Sequence, residues 1–443
     1  MDILFYACMY SFFGLSVLWL LRIIYSNYWI HKQLHAAGNN SKAIGCVHVI
    51  IPVLAEVGRI GKTAEYFIDT FANKINFKLI LVSTEKEWGD YGGAPNTIDV
   101  CTSLAKRYPE VVLHLHYPET TGRMAHQLNY AIKNIGKSLG ADDIIAIYNA
   151  DSRPHPLTFQ WVLSRRADNA RLGVFQQYGD YTQNISKKTG AVLLSAALWQ
   201  NRWAVGFELF NSIKSERFYS NQGIMRSLNY CIGHGLFISK EIIERAGGFS
   251  EIFHNEDAIL GLELSHLKER ISPIPFFDTS DTPDTIRGLY SQKINWFFGP
   301  FQAFNYFRKL NDKYKDNLFL EKIVLFVQSF KLFLHAIYWI CGPSAMVYVL
   351  LYPIIRGDIV LFLFSYSSFF AFFVLPNILS VVGSDIQEKK YILSPMVIIK
   401  LLYGGPVCYF LHGLSAISAV ALSAKNFFTG KPIKKGKTLM RLK

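Results

Sequence analysis

Cysteine is scarce in this 443-residue chain, and its six copies occur singly. No Cys-x-x-Cys spacing is present, so neither a disulfide framework nor a thiolate zinc site is supported. Charge is thin as well: Asp, Glu, Lys and Arg make up 18% of residues, against 51% hydrophobic and 15% aromatic. That balance excludes an ordinary soluble protein, although the length would hold two or three soluble domains. No internal repeat or low-complexity tract is visible. Acidic residues stop at Glu388, whereas Lys425, Lys431, Lys434, Lys435, Lys437, Arg441 and Lys443 follow. Much of the net charge of +13 therefore lies beside apolar segments, which excludes a nucleic-acid footprint. Such a tail suits a cytoplasmic face and anionic headgroups. A cleaved leader is disfavoured, because the start lacks basic residues and a small-residue cleavage site.

What the chain has in abundance is apolar sequence at both ends, which reads as an integral membrane protein. Residues 3–24 carry one charge, Arg22, over a bilayer-crossing length. From 323 to 424 the chain is apolar almost throughout, broken at Arg356-Gly357-Asp358 and between Ser384 and Lys390. Three stretches result, near 323–355, 359–382 and 396–424. Lys331 and His335 give the first an amphipathic, interfacial half. Gly404-Gly405-Pro406 is expected to break the last, as in a re-entrant helix. The charge rule predicts an even number of C-terminal crossings. The expected division is a transmembrane helix over 1–30, a cytoplasmic domain over 45–300 and interfacial helices over 301–330. Transmembrane helices over 331–424 and a basic tail over 425–443 complete it.

Residues 45–300 read as one α/β domain. Short β-branched runs occupy 46–53, 77–83, 111–116 and 143–148, with helix-like stretches such as 60–71 and 123–135 between them. This alternation predicts a mostly parallel sheet with helices on both faces and ligands at the carboxyl ends of the strands. The part over 190–248 is more helical.

Two carboxylates draw attention. Asp151 closes the fourth run, before Ser152-Arg153-Pro154. A carboxylate there projects from the ligand-binding edge, where Mg2+ or Mn2+ could bridge it to a diphosphate. Read alone, it is equally a turn or helix-cap aspartate. Asp257 lies in Phe253-His254-Asn255-Glu256-Asp257-Ala258-Ile259-Leu260-Gly261-Leu262, a polar knot that opens an apolar helix. Alone, it also reads as favourable negative charge at a helix N-terminus. Gln292-Lys293-Ile294-Asn295-Trp296 follows downstream. Two carboxylates and a Gln/Trp pair in this order, in a chain with apolar ends, predict sugar transfer at a membrane surface. One Asp would hold a metal and the other would take a proton from an acceptor hydroxyl.

The chain resembles a family 2 glycosyltransferase of the membrane-integrated kind, the group of cellulose, hyaluronan and chitin synthases and ceramide glucosyltransferase. The resemblance spans nearly the whole chain. It implies an α/β GT-A domain (Rossmann-like nucleotide-diphospho-sugar transferase) between an N-terminal transmembrane helix and a C-terminal transmembrane and interfacial helix bundle. Ile51-Pro52-Val53-Leu54-Ala55-Glu56 is similar to the family's first strand and Pro-x-x-x-Glu nucleotide loop, which assigns Pro52 and Glu56 to the donor. Gly122-Arg123-Met124-Ala125-His126-Gln127-Leu128-Asn129 resembles the Gly-Lys-x-x-Ala-Leu-Asn donor segment, with Arg123 in place of the Lys. Asn149-Ala150-Asp151 resembles the Asp-x-Asp metal motif; Asn149 replaces its first Asp, which leaves the metal to Asp151. Leu81-Val82-Ser83-Thr84-Glu85 stands where the family has an Asp pair against the base, giving Thr84 a donor role. Glu256-Asp257 matches the Glu-Asp pair whose Asp is the base. Gly233-His234-Gly235 resembles the loop that meets the acceptor sugar. Glu256, Gln292 and Trp296 fall on the acceptor side, with Asn295 replacing the Arg that precedes the Trp.

The resemblance implies an inverting, metal-dependent hexosyltransferase with Asp257 as catalytic base and Mg2+ or Mn2+ as cofactor. Its partners would be a nucleotide-diphospho-sugar (UDP favoured over GDP), a saccharide or lipid-linked acceptor, and membrane lipids, with no nucleic acid. The expected product is a growing envelope- or capsule-type polysaccharide, made processively with coupled translocation. The alternative is transfer of one sugar to a polyprenyl-linked or ceramide-like lipid, favoured by the few crossings and by Asn295. A third reading, kept open by Asn149 and Asn295, is an inactive membrane scaffold that retains the fold. The expected location is a bacterial-type inner (plasma) membrane, with the catalytic domain cytoplasmic.

Overall fold

The computed structural model describes residues 2–36, 43–91, 96–218, 228, 230–316, 318–381 and 394–429. These fall into two compact units. One, the sheet unit, holds residues 32–179 and 211–280; the other, the helical unit, holds 1–31, 180–210 and the described residues from 281 onward. Residues 180–210 and 281–300, expected within the α/β domain, thus group with the helices.

Eight strands build the sheet: β1 (Val47–Pro52), β2 (Phe77–Thr84), β3 (Val112–Tyr117), β4 (Ile144–Ile147), β5 (Arg153–Pro154), β6 (Val174–Asp180), β7 (Leu236–Ile238) and β8 (Ile271–Thr279). Their order is β3-β2-β1-β4-β7-β6-β8-β5. β1 pairs in parallel with β2 and β4, and β2 with β3. These are the four strands that the sequence announced, each within a residue or two of its expected ends. The other half departs from a mostly parallel sheet, because β7 runs antiparallel to β4 and to β6, and β5 antiparallel to β8. β5 and β7 have too few residues to display a hydrophobic period, and β6 and β8, also unread as strands, are interrupted by Gln176-Gln177 and by Pro273 and Pro275.

Side chains alternate across the sheet, and both faces are covered, so the central strands read as unbroken apolar runs. Val47, Val49 and Ile51 face one core with Phe67, Phe71 and Phe159; Ile50, Ile145 and Ile147 face the other with Leu128, Leu260 and Leu264. The helices Val57–Phe71 and Thr158–Asp168 line the first core, and Met124–Ile135 and Glu256–His266 the second. Each fully buried Ile, Leu or Phe contributes about 1.5–3 kcal/mol. The result is a rigid platform whose strand ends carry the loops described below. The expected α/β class is thus observed, flanked in chain order by apolar helices.

Among the described residues, four helices are long and apolar enough to cross a membrane: Asp2–Leu34, Phe319–Arg356, Ile359–Leu379 and Pro395–Lys425. The last three correspond to the three apolar stretches read from the sequence. Arg356-Gly357-Asp358 is the break expected. Gly357 ends one helix at φ +64°, and the Asp358 side chain caps the next by accepting from the Val360 and Leu361 amides at 3.0 Å. Lys331 and His335 lie inside the uninterrupted Phe319–Arg356 helix, which begins within the stretch expected to be interfacial.

The Gly404-Gly405-Pro406 break is not realised: the helix runs unbroken over Pro395–Thr429. Those glycines serve close packing instead. A Cβ on Gly404 would stand 2.5 Å from the Ala191 carbonyl oxygen, and one on Gly405 2.9 Å from Phe373. Arg202, fully buried, is boxed by the rings of Trp19, Trp199 and Phe372 at 4.4, 4.5 and 4.4 Å. Its Nη1 donates to the Phe372 carbonyl at 2.5 Å. The segment between Ser384 and Lys390 and the basic tail from residue 430 lie outside the described residues.

Candidate active site

Two loops meet where β4 ends and β7 begins, because the antiparallel register sets Ile147 opposite Leu236. Asn149-Ala150-Asp151 leaves β4, and Gly233-His234-Gly235 enters β7. The Gly235 amide donates to the Ile147 carbonyl at 2.7 Å. Gly235 has φ +67°, and a Cβ there would sit 2.8 Å from the Gln177 carbonyl oxygen, so only glycine suits the turn. Gln176 grips the loop from both sides. Its Nε2 donates to the His234 carbonyl at 2.9 Å, and its Oε1 accepts from the Ile232 amide at 3.0 Å.

Asp257 is the second residue of the Glu256–His266 helix, where negative charge suits the helix dipole. Its Oδ1 accepts from the Ala258 amide at 2.8 Å. Its Oδ2 lies 3.4 Å from the position that a Cβ of Gly233 would take. Asp257 therefore stands against the β7 loop. Nearby Cys231 is fully buried; burial first, and the Asp257 charge second, push its thiol well above the usual range. The acid is accompanied by two buried acceptor atoms without a hydrogen-bond partner, Asn255 Oδ1 and Glu256 Oε2.

Asp278, at the end of β8, joins the two loops. Its Oδ2 accepts from Ser152 Oγ at 2.7 Å, from His234 Nδ1 at 3.0 Å and from Ser280 Oγ at 3.4 Å. Ser152 Oγ in turn accepts from the Asn149 amide at 3.2 Å. A continuous path therefore runs from Asp257 through Gly233, His234, Asp278 and Ser152 to the Asn149–Asp151 turn. Sequence reasoning missed Asp278. Its signal was an acid closing the apolar run Ile274-Pro275-Phe276-Phe277, since unpaired acids rarely sit at buried strand positions.

The ends of β1 and β2 carry Pro52, Glu56 and Thr84. Ala55, between them, is held at φ +50°. Buried Glu87 pins this loop, accepting from the Ala55 amide at 3.1 Å and the Thr97 amide at 2.8 Å. The Glu56 amide donates to Thr97 Oγ1 at 2.8 Å. Beside Thr84, a polar chain links Glu85, His116, Ser83 and His114, with separations of 2.7, 2.9 and 2.7 Å. Burial, and then the neighbouring His116, lower the His114 imidazole below its ordinary range.

The Gly122–Asn129 segment takes an arrangement that its motif did not disclose. Arg123 Nη1 donates to the Ile252 carbonyl at 2.7 Å, and Asn129 brackets Phe249 through its amide and carbonyl at 2.8 and 2.9 Å. Both residues thus grip the stretch leading into Asp257.

Gln292 and Trp296 lie on the Ile286–Phe301 helix of the helical unit. Between them, buried Lys293 sets its ammonium 4.0 Å from the Trp296 ring and 3.1 Å from Gln200 Oε1. Burial in apolar surroundings lowers Lys293 to about 7, partly offset by Cys408 and Glu208.

Among the described residues, no group of three or more His, Cys, Asp or Glu side chains could hold a metal ion by itself. Half-buried Asp151 offers hard carboxylate oxygen, which fits Mg2+ or Mn2+ in the mode where one or two carboxylates share the ion with substrate phosphates and water.

Residues 192–382 match the family model described as "Glycosyl transferase family group 2". The matched stretch contains Gly233, His234, Glu256, Asp257, Gln292 and Trp296, and spans less than half of the chain. No curated protein matches the chain in sequence. Among solved structures, it is similar to a mannosyltransferase (PcManGT) from Pyrobaculum calidifontis in complex with GDP-Man and Mn2+. That similarity is at 15% identity, covering 97% of this chain and 99% of the other, with a TM-score of 0.48. A TarS fragment from S. aureus is similar at 11% identity over 73% and 90% of the two chains, with a TM-score of 0.36. A glucosyl-3-phosphoglycerate synthase from Mycobacterium tuberculosis, in complex with Mn2+, UDP and glucosyl-3-phosphoglycerate, is similar at 14% identity over 56% and 72%, with a TM-score of 0.31.

Proposed function

We propose that the chain is an inverting glycosyltransferase that moves a sugar from a nucleoside-diphospho-sugar to an acceptor hydroxyl at a membrane surface. The observation that carries this reading is the path from Asp257 through Gly233, His234 and Asp278 to the Asn149–Asp151 turn, which sets two acid-bearing loops side by side at the strand ends. In this reading Pro52, Glu56, Thr84, Arg123 and Asn149 form the donor side, and Gly233, His234 and Glu256 the acceptor side. Asp151 would hold Mg2+ or Mn2+, which when bound supplies positive charge to the leaving diphosphate.

Asp257 accepts the proton of the acceptor hydroxyl, whose oxygen attacks the anomeric carbon. The bond to the diphosphate breaks on the opposite face, so the configuration inverts. Burial keeps the Cys231 thiol protonated, which leaves no thiolate beside Asp257 to form a covalent intermediate. The unpartnered oxygens of Asn255 and Glu256 suit a ligand rich in hydroxyl donors.

The test uses purified full-length protein in lipid nanodiscs, with UDP- and GDP-sugars and Mn2+ or Mg2+, reading nucleoside diphosphate released. Asp257→Asn is expected to lower kcat by about 10²–10⁴-fold while donor binding persists, and chelation should abolish transfer. The anomeric configuration of the product, read by NMR, should be opposite to that of the donor. Equal rates in Asp257→Asn and wild type would defeat the base assignment, and inactivity of both would favour a scaffold. A saccharide ladder would support processive polysaccharide synthesis, for which the proposed setting is an inner membrane with the domain facing the cytoplasm. One defined glycolipid would support single addition, the reading favoured by Asn295 in place of an Arg.

A further inference from the structure

Asp278 is fully buried, and among the described residues its only partner within ion-pair distance is His234. Sealing a carboxylate from water costs several kcal/mol unless its hydrogen bonds return it, and a well-packed apolar substitute is often no less stable. The fold alone gives little reason for the acid. Its bonds are also one-sided: Oδ2 gathers Ser152, His234 and Ser280, while Oδ1 has no hydrogen-bond partner.

The two closer partners belong to different halves of the proposed site. Ser152 follows Asp151 directly and also takes the Asn149 amide, so its hydroxyl clasps the turn across Asp151. His234 follows Gly233, which stands against Asp257. The His234 carbonyl is separately fixed by Gln176, so the backbone of this loop is held from one side and its imidazole from the other. Donor-side and acceptor-side loops thus share one oxygen atom as their common fixed point.

We infer that Asp278 is a positioning residue: through Ser152 it fixes the turn that presents Asp151, and through His234 it fixes the Gly233–Gly235 loop beside Asp257. The spacing between the two reacting groups is then set by β8 rather than by either loop. The inference rests on the glycosyl-transfer reading and adds to it a residue whose loss should impair both halves together.

Three variants separate the arms: Ser152→Ala, His234→Gln and Asp278→Asn, each in the full-length protein. The first readout is binding of Mn2+ in the presence of UDP or GDP, followed by electron paramagnetic resonance. The second is the acceptor KM in the transfer assay. Loss of one buried hydrogen bond to a charged group corresponds to roughly a 10-fold effect. Ser152→Ala should weaken Mn2+ binding by about that factor and leave the acceptor KM within about 2-fold. His234→Gln should do the reverse. Asp278→Asn should move both and lower kcat by about 10–100-fold, while its thermal midpoint stays near that of wild type, because the amide keeps the shape and one acceptor.

An Asp278→Asn protein unchanged in both readouts would overturn the inference. So would one whose losses merely track a lower thermal midpoint. If Asp278→Asn does not fold, the other two variants decide, and equal movement of both readouts in each of them also overturns it. A wild type that neither binds nucleotide nor transfers sugar removes the functional reading, and this inference with it. A competent wild type beside an unaltered Asp278→Asn removes the inference alone.

Discussion

Glu87 takes no part in any motif, yet it fixes the loop on which the donor assignment of Pro52 and Glu56 depends. Its two oxygens hold the Ala55 and Thr97 amides, and Ala55 is kept at a positive φ that costs about 1–2 kcal/mol for a residue with a Cβ. Glu87→Ala should release that strain and leave two amides without their charged acceptor. The expected outcome is a rise of about 10-fold in the Kd of a nucleoside diphosphate, read by calorimetry, with Glu87→Gln in between. Unaltered affinity would show that the loop does not hold the donor. Lys293 gives a second residue-scale test. Its folded value of about 7 lies below that of an exposed lysine near 10.4, so the unfolded chain binds the extra proton between those values. Stability should therefore be flat below pH 7 and rise between pH 7 and about 10. A thermal midpoint that rises over this window in wild type but not in Lys293→Met is the expected outcome; parallel curves would contradict the burial argument.

Apolar continuity rather than length decided which strands were legible in the sequence, since four-residue β4 was read and nine-residue β8 was not. Strands β1 to β4 and the helices beside them were legible because four to eight apolar residues bounded by turn signals leave few alternatives. β5, β6, β7 and β8 were not, and with them went the antiparallel half of the sheet: β5 and β7 are very short, β6 carries Gln176 and Gln177, and β8 carries Pro273 and Pro275, which argue against a strand. Gly404-Gly405-Pro406 misled for a different reason. Glycine and proline in succession read as a break, but a glycine facing another backbone reads identically in one dimension. The structure distinguishes the two readings, because Gly404 lies against the Ala191 carbonyl. Gly404→Leu should separate the Pro395–Thr429 helix from the Ala191–Trp203 helix and destabilise the protein by about 1–3 kcal/mol. Gly14→Leu, where nothing lies within 4 Å, should have little effect. Comparable thermal midpoints for the two variants would restore the break as the better account.

At the scale of the whole chain, the apolar ends could be read from composition, and the central α/β domain and both acids of the proposed site from the pattern of runs. Asp151 and Asp257 were found because each interrupts a recognisable pattern, one at a strand end and the other at a helix start. Asp278, Ser152 and Glu87 were not, because their importance lies in which loops they tie together, over as many as 126 positions for Ser152 and Asp278. The grouping of residues 180–210 with the terminal helices escaped notice for the same reason, since pairing across long sequence separations leaves no local period.

That grouping gives the Asp2–Ala36 helix a part in the packing of the helical unit. Trp19 is one wall of the aromatic box around the Arg202 guanidinium, whose Nε and Nη2 have no hydrogen-bond partner, and cation–π contact is much of what makes a positive charge tolerable there. An unrelated apolar helix of the same length spliced on in its place would leave that cation bare on one flank. The opening helix is therefore a component of the machine and not an exchangeable tether.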